Sequence, residues 1–233
     1  MNQPEIENFL AKGLDLMGLH SHNLPEVLSR LALYFYELKK WNQKINLIAR
    51  TMNDEQILEN HFLDSLTLLS FFDHENLEQE AVLDVGTGAG FPGLVLKAAC
   101  PGLQVVLIEP RSNRYYFLKH IVRKIDSQGV ELLNCRIEEN SELQEFSGRK
   151  FSFITSRAFR DSSQFVRLVS TYLSPGGRIV CMKGPGAENE LDTLIEKGLP
   201  EKFYVSETTK LLLPFSKAER ALIFIKHSDE KIL

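Results

Sequence analysis

The hydrophobic positions of this chain follow different periods on either side of about residue 78. Before it, Val27, Leu28, Leu31, Phe35, Leu38, Trp41 and Ile45 recur at three- and four-residue steps, the stripe of an amphipathic helix, and Pro25 suits its first turn. A second helix is predicted from Asn53, whose side chain can cap while Gln56 reaches back, through Ile57, Leu58, Phe62, Leu66 and Leu69. Phe35, Trp41 and Phe62 read as core rather than as platforms for a base. From about residue 80, short apolar runs alternate with amphipathic segments, the pattern of a parallel sheet covered on both faces. Strands are predicted over 81–85, 104–109, 130–135, 151–155 and 177–183, a helix over 189–197, and a closing pair of strands over 203–212 and 221–226. The chain thus divides into a helical extension, 1–78, and an α/β domain, 79–233.

Composition narrows the class. With 233 residues, 43% hydrophobic and 25% charged, the chain has the make-up of a globular protein with one substantial core. The N-terminus, Met1-Asn2-Gln3-Pro4-Glu5, is acidic and unlike a secretory signal, and no apolar run approaches the roughly 18 residues of a membrane span, so a cytoplasmic location is expected. Cys100, Cys135 and Cys181 lie far apart beside apolar stretches and read as buried thiols; no metal site is expected. The formal charge of -4 means that a nucleic-acid partner must be met by a local basic face, for which Arg111, Arg114, Lys119, Arg123 and Lys124, then Arg149, Lys150, Arg157 and Arg160, are the candidates.

The chemistry concentrates in Asp84-Val85-Gly86-Thr87-Gly88-Ala89-Gly90-Phe91-Pro92-Gly93. A strand running into a turn without side-chain bulk lets a ligand approach the backbone, and open α/β sheets bind ligands at the carboxyl ends of their strands. Gly88 to Gly93 also satisfies the GxGxxG spacing of dinucleotide-binding proteins, a weak pattern alone. Asp84 is awkward beside a pyrophosphate but suits a ligand bearing an ammonium and a sulfonium, which favours S-adenosylmethionine. Glu109, ending the second strand, can accept hydrogen bonds from ribose hydroxyls in either case. After the third strand, Cys135-Arg136-Ile137-Glu138-Glu139 places an apolar residue and a carboxylate where an adenine would lie, although Glu138 can equally serve as a helix-start charge.

Six segments in order carry a narrower resemblance: Lys40-Trp41-Asn42-Gln43-Lys44-Ile45-Asn46-Leu47, Glu59-Asn60-His61-Phe62-Leu63-Asp64-Ser65, the glycine turn, Ser156-Arg157-Ala158-Phe159, Met182-Lys183-Gly184, and Glu219-Arg220-Ala221-Leu222-Ile223-Phe224-Ile225-Lys226. Over nearly its whole length the chain resembles the bacterial glucose-inhibited division protein B family of 16S ribosomal RNA guanine-N7 methyltransferases. The resemblance implies a Rossmann-like class I methyltransferase fold, with a seven-stranded, mostly parallel sheet, helices on both faces and an N-terminal helical extension. It implies S-adenosylmethionine as cofactor, S-adenosylhomocysteine as product, and guanine 527 in the 530 loop of 16S rRNA, free or in the 30S subunit, as target. A monomer without an obligate protein partner is expected. Gly86, Gly88 and Phe91 match the cofactor turn, Ile137 and Glu138 the adenine side, Arg157 a cofactor-adjacent arginine, and Asn46 and Lys183 positions facing RNA. Glu109 departs from the commoner aspartate, and Asn113 stands where a lysine before Arg114 is usual.

Guanine N7 has an available lone pair, so attack on a sulfonium methyl needs no base, and alignment supplies the acceleration. Arg157 and Lys183 are therefore read as positioning groups for guanine O6 or a phosphate. His61 and Asp64, three apart on a helix, are either RNA-facing or a local His–Asp pair. Asn46 is either RNA-facing or a helix cap. An NAD(P)-dependent oxidoreductase, resting on GxGxxG, and a non-enzymatic RNA-binding module are the rival classes.

Overall fold

The computed structural model describes residues 1–20, 23–72, 80–137, 148–157, 159 and 161–228, without the side chains of 187–190 and 195. Helix α1 (Gln3–Leu16) opens on a capping box between Asn2 and Glu5 and buries Ile6, Leu10 and Leu14, one stripe at four-residue steps. Helix α2 (Leu24–Asn42) buries Val27, Leu28, Leu31, Phe35 and Leu38 as the periodicity predicts. It stops short of Ile45 because the Asn42 side chain turns back to accept from the backbone N–H groups of Leu47 and Ile48, at 2.9 and 3.0 Å.

The predicted capping box of Asn53 and Gln56 is present, but the helix it starts is not continuous. It passes from α3 (Asp54–Ile57) into a π-helical turn (Leu58–Leu63), then α4 (Asp64–Leu66) and a 3₁₀ turn (Thr67–Phe71). Hydroxyls compete with the regular ladder here: Ser65 donates to the His61 carbonyl at 2.5 Å and Thr67 to that of Asp64 at 2.6 Å. The change in winding places Glu59, Asn60, His61 and Asp64 against the sheet.

The sheet comprises β1 (Ala81–Val85), β2 (Gln104–Ile108), β3 (Val130–Leu133), β4 (Phe151–Ser156), β5 (Leu173–Lys183), β6 (Phe203–Leu212) and β7 (Glu219–His227), in the order β3-β2-β1-β4-β5-β7-β6. The first five are parallel, and β7 inserts antiparallel between β5 and β6. Two ends differ from expectation. β3 ends at Leu133, before Cys135, and β5 starts at Leu173 with a register shift before Arg178. Helices α5 (Gly93–Ala99) and α6 (Ser112–Lys124) lie on one face, α7 (Ser162–Val169) and α8 (Ala187–Lys197) on the other.

Alternation along each strand divides the interior. Val82, Val105, Phe153, Val180, Met182 and Leu222 face α1, α2, α5, α6 and the segment 54–72. Leu83, Val106, Ile154, Ile179, Cys181 and Ile223 face α7 and α8. All three cysteines are buried and free, and burial pushes the Cys100 thiol up to about 11. Among the described residues no helix is long and apolar enough to cross a membrane.

The helices before β1 therefore share a core with the sheet, and Tyr34 carries that contact into the glycine turn. Its ring is fully buried, stacks with Phe91 at 5.9 Å between centroids, and its hydroxyl donates to the Ala89 carbonyl. Tyr34→Phe leaves that carbonyl unsatisfied in the interior and is expected to lower the unfolding free energy by about 1–3 kcal/mol. A urea titration checks it, with the midpoint moving and the slope unchanged.

Candidate cofactor and substrate site

The site lies at the carboxyl ends of β1, β2, β4 and β5. Asp84, 0% exposed, places Oδ2 between the Thr87 hydroxyl at 2.6 Å and the Gly93 backbone N–H at 2.8 Å, while Oδ1 has no partner. Burial pushes the carboxyl up to about 7, against the opposing pull of these donors and of Arg157; Glu109 adds to the rise. The turn needs its glycines for two reasons. Gly90 has φ +95°, and a side chain there would collide with the Tyr34 hydroxyl. At Gly93 a Cβ would stand 2.6 Å from Leu107 and 2.9 Å from the Asp84 carboxylate.

Glu109 lies just beyond β2, buried, and organises the adjoining backbone. One carboxylate oxygen accepts from the Gly88 N–H at 2.9 Å and the other from the Arg111 N–H at 2.8 Å. Each oxygen keeps a further acceptor position, so the longer side chain still offers a carboxylate to a diol. Gly86 sits at the β2 edge, its N–H donating to the Ile108 carbonyl at 2.8 Å. Ile137 is buried near the end of β3, and Glu138 lies outside the described residues.

Opposite the turn, the segment from Glu59 to Asp64 forms a junction. Arg157 donates from Nη2 to the Asn60 carbonyl at 2.9 Å and lies 3.1 Å from Asp64 Oδ2. Arg220 donates from Nε to Asp64 Oδ1 at 3.1 Å and from Nη2 to the Asn60 side chain at 2.9 Å. Glu59 accepts the backbone N–H groups of Phe215 and Ser216, fastening the β6–β7 hairpin. His61 stacks on Phe91 at 4.9 Å, and the Arg157 guanidinium lies 5.9 Å from the same ring. Burial, aided by the two arginines, holds His61 down at about 3, so it is neutral at neutral pH. His61 Nε2 and Arg157 Nη1 are buried without partners.

The structure thus brings Asp84, Phe91, His61, Asp64 and Arg157 together. Asp64, 3% exposed, gives its carboxylate to two arginines, so His61 and Asp64 do not form the local pair, and the Asp64 carboxylate faces protein. Asn46 is exposed and caps no helix; its carbonyl accepts from Arg114, which also lies over Gly88. Lys183 ends β5 and donates to the Phe159 carbonyl at 2.9 Å. A cavity of about 240 Å³ lies between Asp64, Arg157, Met182, Lys183, Gly184 and Arg220. Tyr34, Glu59, Asn60, Arg114 and Arg220 were not singled out from sequence, although Glu59, Asn60 and Arg220 fall inside the resembling segments.

A family model described as rRNA small subunit methyltransferase G matches residues 27–223. The chain belongs to this family. A relative from Desulfotalea psychrophila, named ribosomal RNA small subunit methyltransferase G, is 43% identical over 222 residues, covering 95% of this chain and 99% of its own. One of the same name from Myxococcus xanthus is 36% identical over 228 residues, covering 97% and 100%. Among solved structures, TrmN from Thermus thermophilus aligns with a TM-score of 0.54 at 16% identity, over 71% of this chain and 48% of that one. A fibrillarin/Nop5p complex aligns at 0.55 and 12% identity, over 79% and 91%. These likenesses establish the class I, Rossmann-like methyltransferase fold.

Membership in the rRNA small subunit methyltransferase G family makes the chain a methyltransferase, and its glycine turn the place for a methyl donor. The oxidoreductase reading of GxGxxG is set aside. Because Asp64 is the shared counter-charge of two half-buried arginines, Asp64→Ala is expected to cost about 3–5 kcal/mol of stability. Chemical denaturation measures it; a loss below about 1 kcal/mol would mean that the arginines find other partners.

Proposed function

We propose that this chain transfers the methyl group of S-adenosylmethionine to N7 of a guanine in 16S rRNA, guanine 527 of the 530 loop by family resemblance, acting on free rRNA or the 30S subunit. The observation that carries the reading is the set of buried, unpartnered polar atoms around Phe91: Asp84 Oδ1, His61 Nε2 and Arg157 Nη1. An acceptor bearing negative charge, a neutral ring nitrogen and a guanidinium N–H beside an open glycine turn fit a ligand carrying both an ammonium and a carboxylate. Buried polar groups left without partners are costly, so a ligand that satisfies them gains affinity.

S-adenosylmethionine supplies an electrophilic methyl on a sulfonium when bound. In this reading Asp84, Gly86, Gly88, Phe91, Glu109, Ile137, Glu138 and Arg157 serve the cofactor: Asp84 neutralises its positive end, and Glu109 accepts from the ribose. Arg157 and Lys183 orient the guanine from the cavity side, while Asn46 and His61 border the approach of the RNA. No side chain has to remove a proton, because N7 attacks as the neutral base. Asp64 acts through Arg157 and is a positioning residue.

Incubating the protein and labelled S-adenosylmethionine with unmodified 16S rRNA and with 30S subunits, then mapping the modified base, tests the assignment. Label at guanine 527 is expected; label at another nucleotide, or in neither substrate, overturns it. Gly86 has φ +71°, so Gly86→Leu should abolish transfer by straining and filling the turn.

A second test uses protonation. With the Asp84 carboxyl at about 7, a cationic ligand binds the ionised form, so S-adenosylmethionine affinity should rise by about tenfold from pH 6 to pH 8. Folding stability runs the other way: a carboxyl raised above its unfolded value near 3.8 makes stability fall as pH climbs from about 4 to 7. Calorimetric titrations across that range should show a slope that Asp84→Asn flattens, and a flat wild-type profile would remove Asp84 from the cationic end of the ligand.

A further inference from the structure

A second groove, of about 410 Å³, continues from the cavity beside Arg157. The two share Gly184, Pro185 and Arg220, and the second extends between the Gly184-Pro185-Gly186 turn and the β6–β7 hairpin to Lys210, Leu211 and Leu212. Its geometry follows from strand register. Lys183 on β5 is opposite Ala221 on β7, which is opposite Lys210 on β6. Residues directly opposed in antiparallel strands project from the same face, and neighbouring strands lie about 4.8 Å apart. The backbones carrying the two ammonium groups therefore stand about 10 Å apart, one at the cavity and one beyond it, with the small side chain of Ala221 between them.

The lining suits a nucleotide. A Cβ on Gly184 would meet nothing within 4 Å, so the shared rim is open. Leu212 is 55% exposed and, with Pro185 and Leu211, gives the groove an apolar wall. Across both spaces four cations, Arg157, Lys183, Lys210 and Arg220, stand against two carboxylates, Asp64 and Glu219. Asp64 is already engaged by arginines. An RNA whose target base occupies the cavity must carry the adjoining nucleotide past the rim, and sequence-specific RNA recognition takes bases splayed out of single-stranded loops.

We propose that this groove is the subsite for the nucleotide adjoining the target guanine in a single-stranded stretch of RNA. Its phosphate lies at Lys210 and its sugar and base along Pro185, Leu211 and Leu212. The inference rests on the chain acting on rRNA. It adds a specificity-bearing site on the sheet's edge hairpin, outside the glycine turn and the Arg157 cavity.

The test compares wild type with Lys210→Ala, Lys210→Glu and Lys210→Arg in steady-state methylation of 16S rRNA and of 30S subunits, with RNA affinity measured across a salt series. Lys124→Glu, at the exposed far end of α6, controls for general electrostatics. Lys210→Glu should raise the KM for RNA about tenfold, leaving kcat and the KM for S-adenosylmethionine within twofold; Lys210→Ala should lie between, and Lys210→Arg should match wild type. Losing one phosphate contact should reduce the salt slope by about 0.7. An unchanged KM and slope in both Lys210→Ala and Lys210→Glu, or an equal change in Lys124→Glu, overturns the subsite. So does a defect confined to 30S subunits in an enzyme that methylates naked rRNA normally, since that would put a protein in the groove. Wild type that methylates neither substrate instead fails the rRNA reading itself, which separates the two outcomes.

Discussion

A carboxylate sealed away from water between two guanidiniums is the constraint on which the rest of the site depends. Asp64 comes from the helical segment before the sheet, Arg157 from the end of β4 and Arg220 from the start of β7. An isolated carboxylate at that depth would be costly, and either arginine alone would leave an oxygen without a charged partner. With both present, three segments far apart in sequence are held in one arrangement. Asn60 reinforces it, offering its carbonyl to Arg157 and its side-chain oxygen to Arg220.

The same arrangement determines what faces the ligand. Once Nη2 of Arg157 is committed to Asn60 and Asp64, Nη1 is the part of that guanidinium left over beside Phe91. His61, two residues before Leu63 in the π turn, is carried onto the Phe91 ring, and Tyr34 supports that ring from another side. The helices before β1 are consequently part of the site's wall, linked to the glycine turn by packing as well as by the Tyr34 hydrogen bond. The division of the chain at about residue 78 marks a change of hydrophobic period, while the buried side chains continue across it.

Much of this was legible because period and turn chemistry are local. Strands buried on both faces read as short apolar runs, Asn53 and Gln56 announced their cap, and Asp84 before three glycines marked a strand end open to a ligand. The misses concern interactions between distant residues. Nothing local to Asn60 or Arg220 says that they meet across 160 positions. Asp64 looked like a partner for His61 because helical spacing places them together, whereas the π turn and the two arginines decide otherwise. The capping role weighed for Asn46 belongs to Asn42, four residues earlier, whose side chain closes the loop after α2.

The charge of the molecule has a further consequence. A chain of net charge -4 gains little from long-range attraction to RNA, and its strongest cations at the site are partly spent on protein. Arg220 is half-buried and satisfied by Asp64, Asn60 and the Glu219 carbonyl, so its contribution to an incoming phosphate is reduced. Affinity must then come from contacts that form only when a base enters the cavity and the strand follows the adjoining surface. Binding organised in this way discriminates against RNA that cannot present an unpaired base, because such RNA meets an acidic molecule without reaching the groups built to hold it. Burying the arginines around Asp64 thus favours positional selectivity over general attraction to RNA.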